Sequence, residues 1–139
     1  MKKLSIGTIV RDYNKNILIG HTTFGKGWDI PKGLLEEGEV SLETAQRELD
    51  EEFNLSFDDF EFEQLGRFQY LKNKDLFLYE IVLFDLKKQI KLKDLKCESY
   101  FVVDGNRYPE IDRYRIINLN EIDKYLYPNM VKVLKRIYK

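Results

Sequence analysis

The chain has a single cysteine and a single histidine in 139 residues. Cys97 alone excludes an internal disulfide and a cysteine-rich zinc site. His21 alone excludes a multi-histidine metal cluster and most catalytic triads. An excess of either charge is missing too. The 23 Lys and Arg stand against 24 Asp and Glu, a net charge of −1, so no broad field draws the chain to nucleic acid. Long apolar runs are absent: the opening MKKLSIGTIVRD meets charge again at Arg11 and Asp12, too soon for a signal peptide or a membrane span. Three prolines, 34% charged and 14% aromatic residues fit neither a collagen-like nor a disordered chain. The expectation is one cytoplasmic domain over residues 1–139, long enough to bury a core without a covalent or metal staple.

What is present begins with strands. In residues 4–10, Leu4, Ile6, Thr8 and Val10 alternate with Ser5, Gly7 and Ile9, the pattern of a partly buried strand. The turn formers of 11–16 and the apolar 17–21 complete a hairpin. Residues 22–38 hold four of the eight glycines and one of the three prolines, and a long segment of that kind inside a compact domain is more often functional than idle. Helical periodicity runs from Ser41, read as the N-cap, to Phe53, with Glu43 in the first turn and Asn54 at a left-handed C-terminal cap. Residues 60–70, 76–86, 100–103 and 114–119 read as strands, and the lysine-rich 87–96 as a connection. Asn120 is placed to cap a short helix through Tyr125, and a last helix begins after Pro128. Met130, Val131, Leu134, Ile137 and Tyr138 have helical spacing. The cations between them suit a helix C-terminus docked on its own domain better than a nucleic-acid or membrane contact. The pattern is that of a mixed α+β domain.

The chemistry gathers in GLLEEGEVSLETAQRELDEEFNL, residues 33–55. With Glu48 at zero, helical rotation places Glu51 at about 300° and Glu52 at about 40°, so three carboxylates share one arc. Leu42, Ala45, Leu49 and Phe53 form an apolar stripe beside it, which faces the core and leaves the acids at the edge of a cleft. Like charges at these spacings repel, and two arrangements relieve that: a solvated face balanced by Arg47 and nearby lysines, or a hard divalent cation such as Mg²⁺ or Mn²⁺ held by oxygen ligands.

The spacing chooses between them. Gly33, then Glu39, then Arg47-Glu48-Leu49-x-Glu51-Glu52-x-x-Leu55 resembles the Nudix box, matching eight of its nine specified positions over 23 residues. Asn54 replaces the final glycine, a position that asks for the left-handed conformation Asn also adopts. Trp28-Asp29-Ile30-Pro31-Lys32-Gly33 is similar to the family's lead-in. The resemblance implies a Nudix fold, a mixed sheet sandwiched between α-helices (α/β/α) with a loop–helix–loop catalytic motif, and metal-dependent hydrolysis of nucleoside diphosphates linked to another group. It implies Glu48, Glu51 and Glu52 as ligands of Mg²⁺ or Mn²⁺, with the main-chain carbonyl near Lys32 as a further ligand. Arg47 would orient the glutamates, and Glu39 would fix the loop. Metals bound there would lower the pKa of water, bridge phosphate oxygens and stabilise the leaving phosphate.

Pro109-Glu110-Ile111-Asp112-Arg113-Tyr114-Arg115-Ile116 resembles the Pro-Glu-x-Asp-x-Trp-x-Trp segment of bacterial RNA 5′-pyrophosphohydrolases and dinucleoside-polyphosphate hydrolases, with Tyr114 and Ile116 in place of the tryptophans. That likeness implies Glu110 as an additional carboxylate, base or ligand. The expected substrate is a dinucleoside polyphosphate, with a 5′-triphosphorylated RNA end next and ADP-ribose or a nucleoside triphosphate as further alternatives. A Nudix-fold sensor that binds nucleotide without hydrolysis is the reading from a different class. Phe24, Tyr70, Tyr79 and Tyr114 are aromatics with a case for base stacking, and Lys26, Lys32, Arg67 and Lys72 have a case for phosphate. Trp28 is a loop anchor or a substrate contact, and His21 has a structural role. The chain is expected as a monomer or a homodimer.

Overall fold

A long apolar strand, β1 (Lys3–Asp12), runs through the middle of the molecule. The computed structural model describes residues 2–139. On one side β1 pairs in parallel with β6 (Lys74–Leu83), from Lys3↔Lys74 to Asp12↔Leu83, and β6 pairs antiparallel with β5 (Glu63–Leu71). The other edge of β1 is divided. Strand β4 (Lys32–Leu34) takes the positions of Ser5 to Gly7, while β2 (Asn16–Thr22) meets β1 at Arg11↔Ile17. Away from the turn β2 pairs instead with β9 (Ile111–Asn118) and with the two-residue β3 (Trp28–Asp29). The result is a seven-stranded mixed sheet, and β7 (Tyr100–Val103) and β8 (Asn106–Pro109) form a separate hairpin.

The hairpin expected over 4–21 is therefore splayed. Its turn is fastened by Asp12, which is wholly buried and accepts the N–H groups of Asn14 and Asn16 at 3.0 Å each and of Leu86 at 2.8 Å. Burial opposes the charge of Asp12, yet the bonds from Leu86, Asn16 and Asn14 hold its carboxyl below the ordinary aspartate range. Beyond the turn the strands part, and β4 enters the gap.

Helices cover both faces of the sheet. Ile6, Val10 and Leu18 pack with Ala45, Leu49 and Phe53 of α1 (Ser41–Phe53). Their alternating neighbours Ile9, Ile17 and Ile19 pack with Met130, Val133 and Leu134 of α4 (Pro128–Ile137). This is the expected α/β/α sandwich, and it corrects one reading: β1 is buried from Ser5 to Val10 rather than partly buried, because both of its faces are covered.

Helix α1 has the expected bounds, but Ser41 is its first helical residue and not its cap. Val40 holds the extended N-cap conformation, the Glu43 carboxylate accepts its N–H at 3.0 Å, and Ser41 Oγ bonds the Tyr79 hydroxyl at 2.6 Å. Asn54 closes the helix in the left-handed region, at φ 57° and ψ 40°, with its N–H on the Asp50 carbonyl. The strand expected over 60–70 starts later because a 3₁₀ turn occupies Asp59–Glu61. The strand expected over 76–86 gives way to α2 (Leu86–Gln89), which Asp85 caps. Near the C-terminus Asn118, not Asn120, accepts the capping bond, and a 3₁₀ turn leads into α3 (Ile122–Tyr125). No helix among the described residues is long and apolar enough to cross a membrane.

Candidate active site

Two of the acids of α1, Glu48 and Glu52, do not lie on a solvated face, whereas Glu51 stays partly exposed. With the apolar stripe pinned to the sheet, Glu48 and Glu52 are drawn under the loop that carries β4, and only 8% and 6% of them remain exposed. Gly33 makes this burial sterically feasible: a Cβ there would stand 2.1 Å from the Glu48 carboxylate. Glu52 accepts the Lys32 N–H at 3.0 Å, so the strand and the helix are joined through the acid itself. The far end is fixed by Tyr114, whose hydroxyl donates to the Glu52 carbonyl at 2.5 Å and whose ring packs edge-on against Phe53.

Arg47 is the internal counter-ion. Its Nε and Nη2 donate to Glu39 at 2.8 and 3.1 Å, and its Nη1 reaches Glu48 at 2.8 Å and Glu51 at 3.3 Å. Glu39 also accepts the Glu36 N–H and the Thr44 hydroxyl, so the loop before α1 is tied to the helix by one carboxylate. The hydrogen bonds from Arg47 and Thr44 push the Glu39 carboxyl down to about 2. The buried pair moves the other way. Burial raises Glu48 to about 7 against the pull of Arg47, with the charges of Glu51 and Glu110 adding to the rise. Burial and the neighbouring Glu48 raise Glu52 to about 9, opposed by the Lys32 N–H.

The residues singled out for catalysis and metal binding fall into one cluster and one neighbouring segment. Arg47, Glu48, Glu51, Glu52 and the Lys32 backbone form one cluster. Glu110 lies on the segment tied to the end of α1, where the Glu98 N–H donates to the Glu51 carbonyl at 2.6 Å. Its backbone is held by Ser99 and Thr23, through Glu110 N–H to Ser99 O at 2.8 Å and Thr23 N–H to Glu110 O at 3.0 Å. As the side chains stand, no three His, Cys, Asp or Glu groups among the described residues converge tightly enough to hold one ion. Glu48 and Glu51 are both engaged by Arg47 Nη1.

The weaker candidates divide. Tyr79 is core and Tyr114 is a strut, whereas Phe24 and Tyr70 keep accessible surface. Arg67 is engaged by Asp75 at 2.9 Å. Lys32 is paired with Asp29 at 3.2 Å and lies over the Tyr70 ring. His21 bonds Asp112 at 2.7 Å and packs edge-on against Trp28, which itself meets Tyr125, so both rings serve the scaffold. The Cys97 thiol, raised by burial, accepts the Ile111 N–H.

One feature outside this cluster was not legible in the chain. Between β5 and α4 opens a cleft of about 690 Å³, with Tyr70 and Val133 on its walls and Lys72, Lys132, Lys135 and Arg136 around it. The apolar side of α4 packs as expected, while its cations face this cleft. Lys72 is some sixty positions away from them in the chain, so no local pattern announced it. Tyr70, through Lys32, connects the cleft to Glu52.

Comparison with known proteins gives the family and the fold. The chain matches the NUDIX domain over residues 1–137 and belongs to the Nudix hydrolase family, whose members hydrolyse phosphoanhydrides. It is 32% identical to an uncharacterized 17.7 kDa protein of the e-segB intergenic region of Enterobacteria phage T4, over 99% of this chain and 97% of that one. It is 25% identical to an RNA pyrophosphohydrolase of Francisella tularensis subsp. mediasiatica (strain FSC147), over 99% and 88%. A C. elegans Ap4A hydrolase, solved as a binary complex, shares the fold with a TM-score of 0.64 and 18% identity, over 98% of this chain and 95% of that one.

Proposed function

We propose that residues 1–139 form one catalytic domain that hydrolyses a phosphoanhydride bond of a dinucleoside polyphosphate with Mg²⁺ or Mn²⁺. The observation that carries this reading is the pair Glu48 and Glu52, buried against Gly33 and the Lys32 N–H and joined to Glu51 through Arg47. Carboxylates are buried together at such cost chiefly where a task requires it. The donor set fits a hard divalent cation, since the groups on offer are carboxylate oxygens and a main-chain carbonyl. Glu48, Glu51, Glu52, Glu110 and the Lys32 carbonyl would hold it. Bound there, it would polarise a phosphoryl oxygen and lower the pKa of water.

The remaining chemistry belongs to the chain. Arg47, itself locked by Glu39, sets the directions of Glu48 and Glu51. Hydrolysis joins the oxygen of water to one phosphorus and breaks that phosphorus from its bridging oxygen. Glu110 supplies the further carboxylate, as acceptor of the proton released by water or as an extra ligand. Lys72, Lys132 and Arg136 offer positive charge to the rest of the polyphosphate, and the cleft volume suits a nucleoside. The 25% identity with an RNA pyrophosphohydrolase favours a second reading, a triphosphorylated RNA 5′ end.

The deciding experiment is product analysis on a panel of diadenosine polyphosphates, ADP-ribose, nucleoside triphosphates and triphosphorylated RNA, with either metal, for the wild type and Glu51→Gln. The expected result is fastest metal-dependent turnover of a diadenosine polyphosphate, reduced at least about 100-fold in Glu51→Gln, a loss of the size seen when transition-state charge stabilisation is removed. Faster turnover of the RNA moves the assignment to the second reading. Tight nucleotide binding with no turnover makes the domain a sensor.

A further inference from the structure

The β7–β8 hairpin stands outside the main sheet. Its register, Phe101↔Tyr108 flanked by Tyr100↔Pro109 and Val102↔Arg107, sets Phe101 and Tyr108 side by side on one face. Phe24, from the loop between β2 and β3, closes against that face. Its ring centroid lies 4.7 Å from Tyr108 and 6.0 Å from Phe101, near perpendicular to both. Phe24 nevertheless keeps 67% of its surface in solvent, and its backbone is left-handed at φ 63°, where a bulky side chain is an outlier. On the other face of the hairpin the Arg107 guanidinium covers the Tyr100 ring at 3.9 Å, so that face is already partnered.

The aromatic trio adjoins Glu110 through the backbone. Thr23, the neighbour of Phe24, donates its N–H to the Glu110 carbonyl, and Ser99, the neighbour of β7, accepts the Glu110 N–H. Tyr108 precedes Glu110 by two residues, about 7 Å of extended chain. A nucleotide with its phosphates at Glu48, Glu52 and Glu110 therefore has its base within reach of these rings.

We propose that Phe24, Phe101 and Tyr108 form a platform that stacks a nucleobase of the substrate. The proposal deepens the hydrolase reading and rests on its placement of Glu110. Stacking engages the face of a base, which every base possesses. Phe24 and Phe101 carry no hydrogen-bonding group and Tyr108 carries one hydroxyl, so the platform binds without reading the base edge. Adenine and guanine forms of a substrate are accepted alike.

The test compares wild type, Phe24→Ala, Phe24→Trp and Tyr108→Leu in turnover of diadenosine and diguanosine tetraphosphate, with ADP binding by calorimetry and sedimentation of each protein. Phe24→Ala is expected to raise KM and weaken ADP binding about tenfold, with the smaller part of the loss in kcat, and Phe24→Trp to restore both. KM for the two substrates is expected to agree within about threefold. Active wild type with unaltered KM and ADP affinity in Phe24→Ala and Tyr108→Leu overturns the platform and leaves the hydrolase reading standing. If the wild type hydrolyses neither substrate, the hydrolase reading fails on that count, and ADP calorimetry still decides the platform: weaker binding in Phe24→Ala supports it, equal binding overturns it. A change from dimer to monomer in Phe24→Ala with ADP affinity intact assigns the face to a second copy of the chain and overturns the proposal.

Discussion

A hydrogen atom is the only side chain that fits at position 33, because the Glu48 carboxylate rests where a Cβ would be. Gly33→Ala must therefore push the carboxylate outward or shift β4. Misplacing a reacting or ligating group by about 1 Å costs about 100-fold in rate. We expect Gly33→Ala to lower kcat by about that factor while the protein stays folded. Steady-state kinetics beside circular dichroism check this, and wild-type kcat refutes it. Asn54 makes the complementary case. Its left-handed backbone explains how an asparagine stands where the family's box has glycine. Asn54→Gly should leave stability nearly unchanged, whereas Asn54→Ala should cost about 1–2 kcal/mol, read from denaturant midpoints. Equal midpoints for the two variants would show that the cap carries no strain.

Helix α1 is the element on which site and core meet, since Leu49 and Phe53 hold it to the sheet while Glu48 and Glu52 turn to the loop. Leu49→Ala leaves a cavity directly beneath the acids and should cost about 2–5 kcal/mol. Chemical denaturation measures it, and a loss below about 1 kcal/mol would mean that the helix is seated mainly by its polar ties. At this scale the sequence was informative where signals are local. The bounds of α1, its left-handed stop and the spacing of its acids all follow from residues 33–55. The burial of Glu48 and Glu52 did not, because a helical wheel records only the helix's own stripe, and the wall over these acids comes from β4. The splayed β1–β2 hairpin was hidden for a similar reason: its edge is shared with a strand that arrives more than ten residues later. The second strand of the outlying hairpin was missed despite a signal, Asp104-Gly105, whose φ values of 51° and 79° are those of a tight hairpin turn. Glu110 was named through likeness to a known segment, and only topology brings its segment to the end of α1.

The charges of the whole molecule nearly cancel, but those of the site do not, and pH exposes the difference. Glu48 and Glu52 bind their protons more tightly in the folded chain, at about 7 and about 9, than in the unfolded one. The stability they lend is full below the unfolded glutamate value and is lost as pH rises through about 7 and about 9. Glu39, pushed down to about 2, acts in the opposite sense: its contribution is present above the unfolded value and is lost as pH falls through about 2. Metal-free protein should therefore lose Tm steadily from about pH 5 to about pH 9. Saturating Mg²⁺ or Mn²⁺ should flatten that decline by stabilising the ionised acids. Thermal scans in chelator and in metal test both statements. A Tm that is level across this range in chelator would mean that the buried pair is not strained, and an equal slope in metal would place the ion elsewhere.

Arg47 touches three of the site's glutamates through one guanidinium, so the acidic cluster carries its own cation from the moment the chain folds. On the proposed metal-dependent reading, the polypeptide would reach its final shape in surroundings poor in divalent ions, and an ion arriving later would compete with an arginine already in place. If the proposed metal site is right, Arg47 would set the free metal concentration at which that competition is won, and a shorter or uncharged residue at this position would move that threshold without altering the ligands.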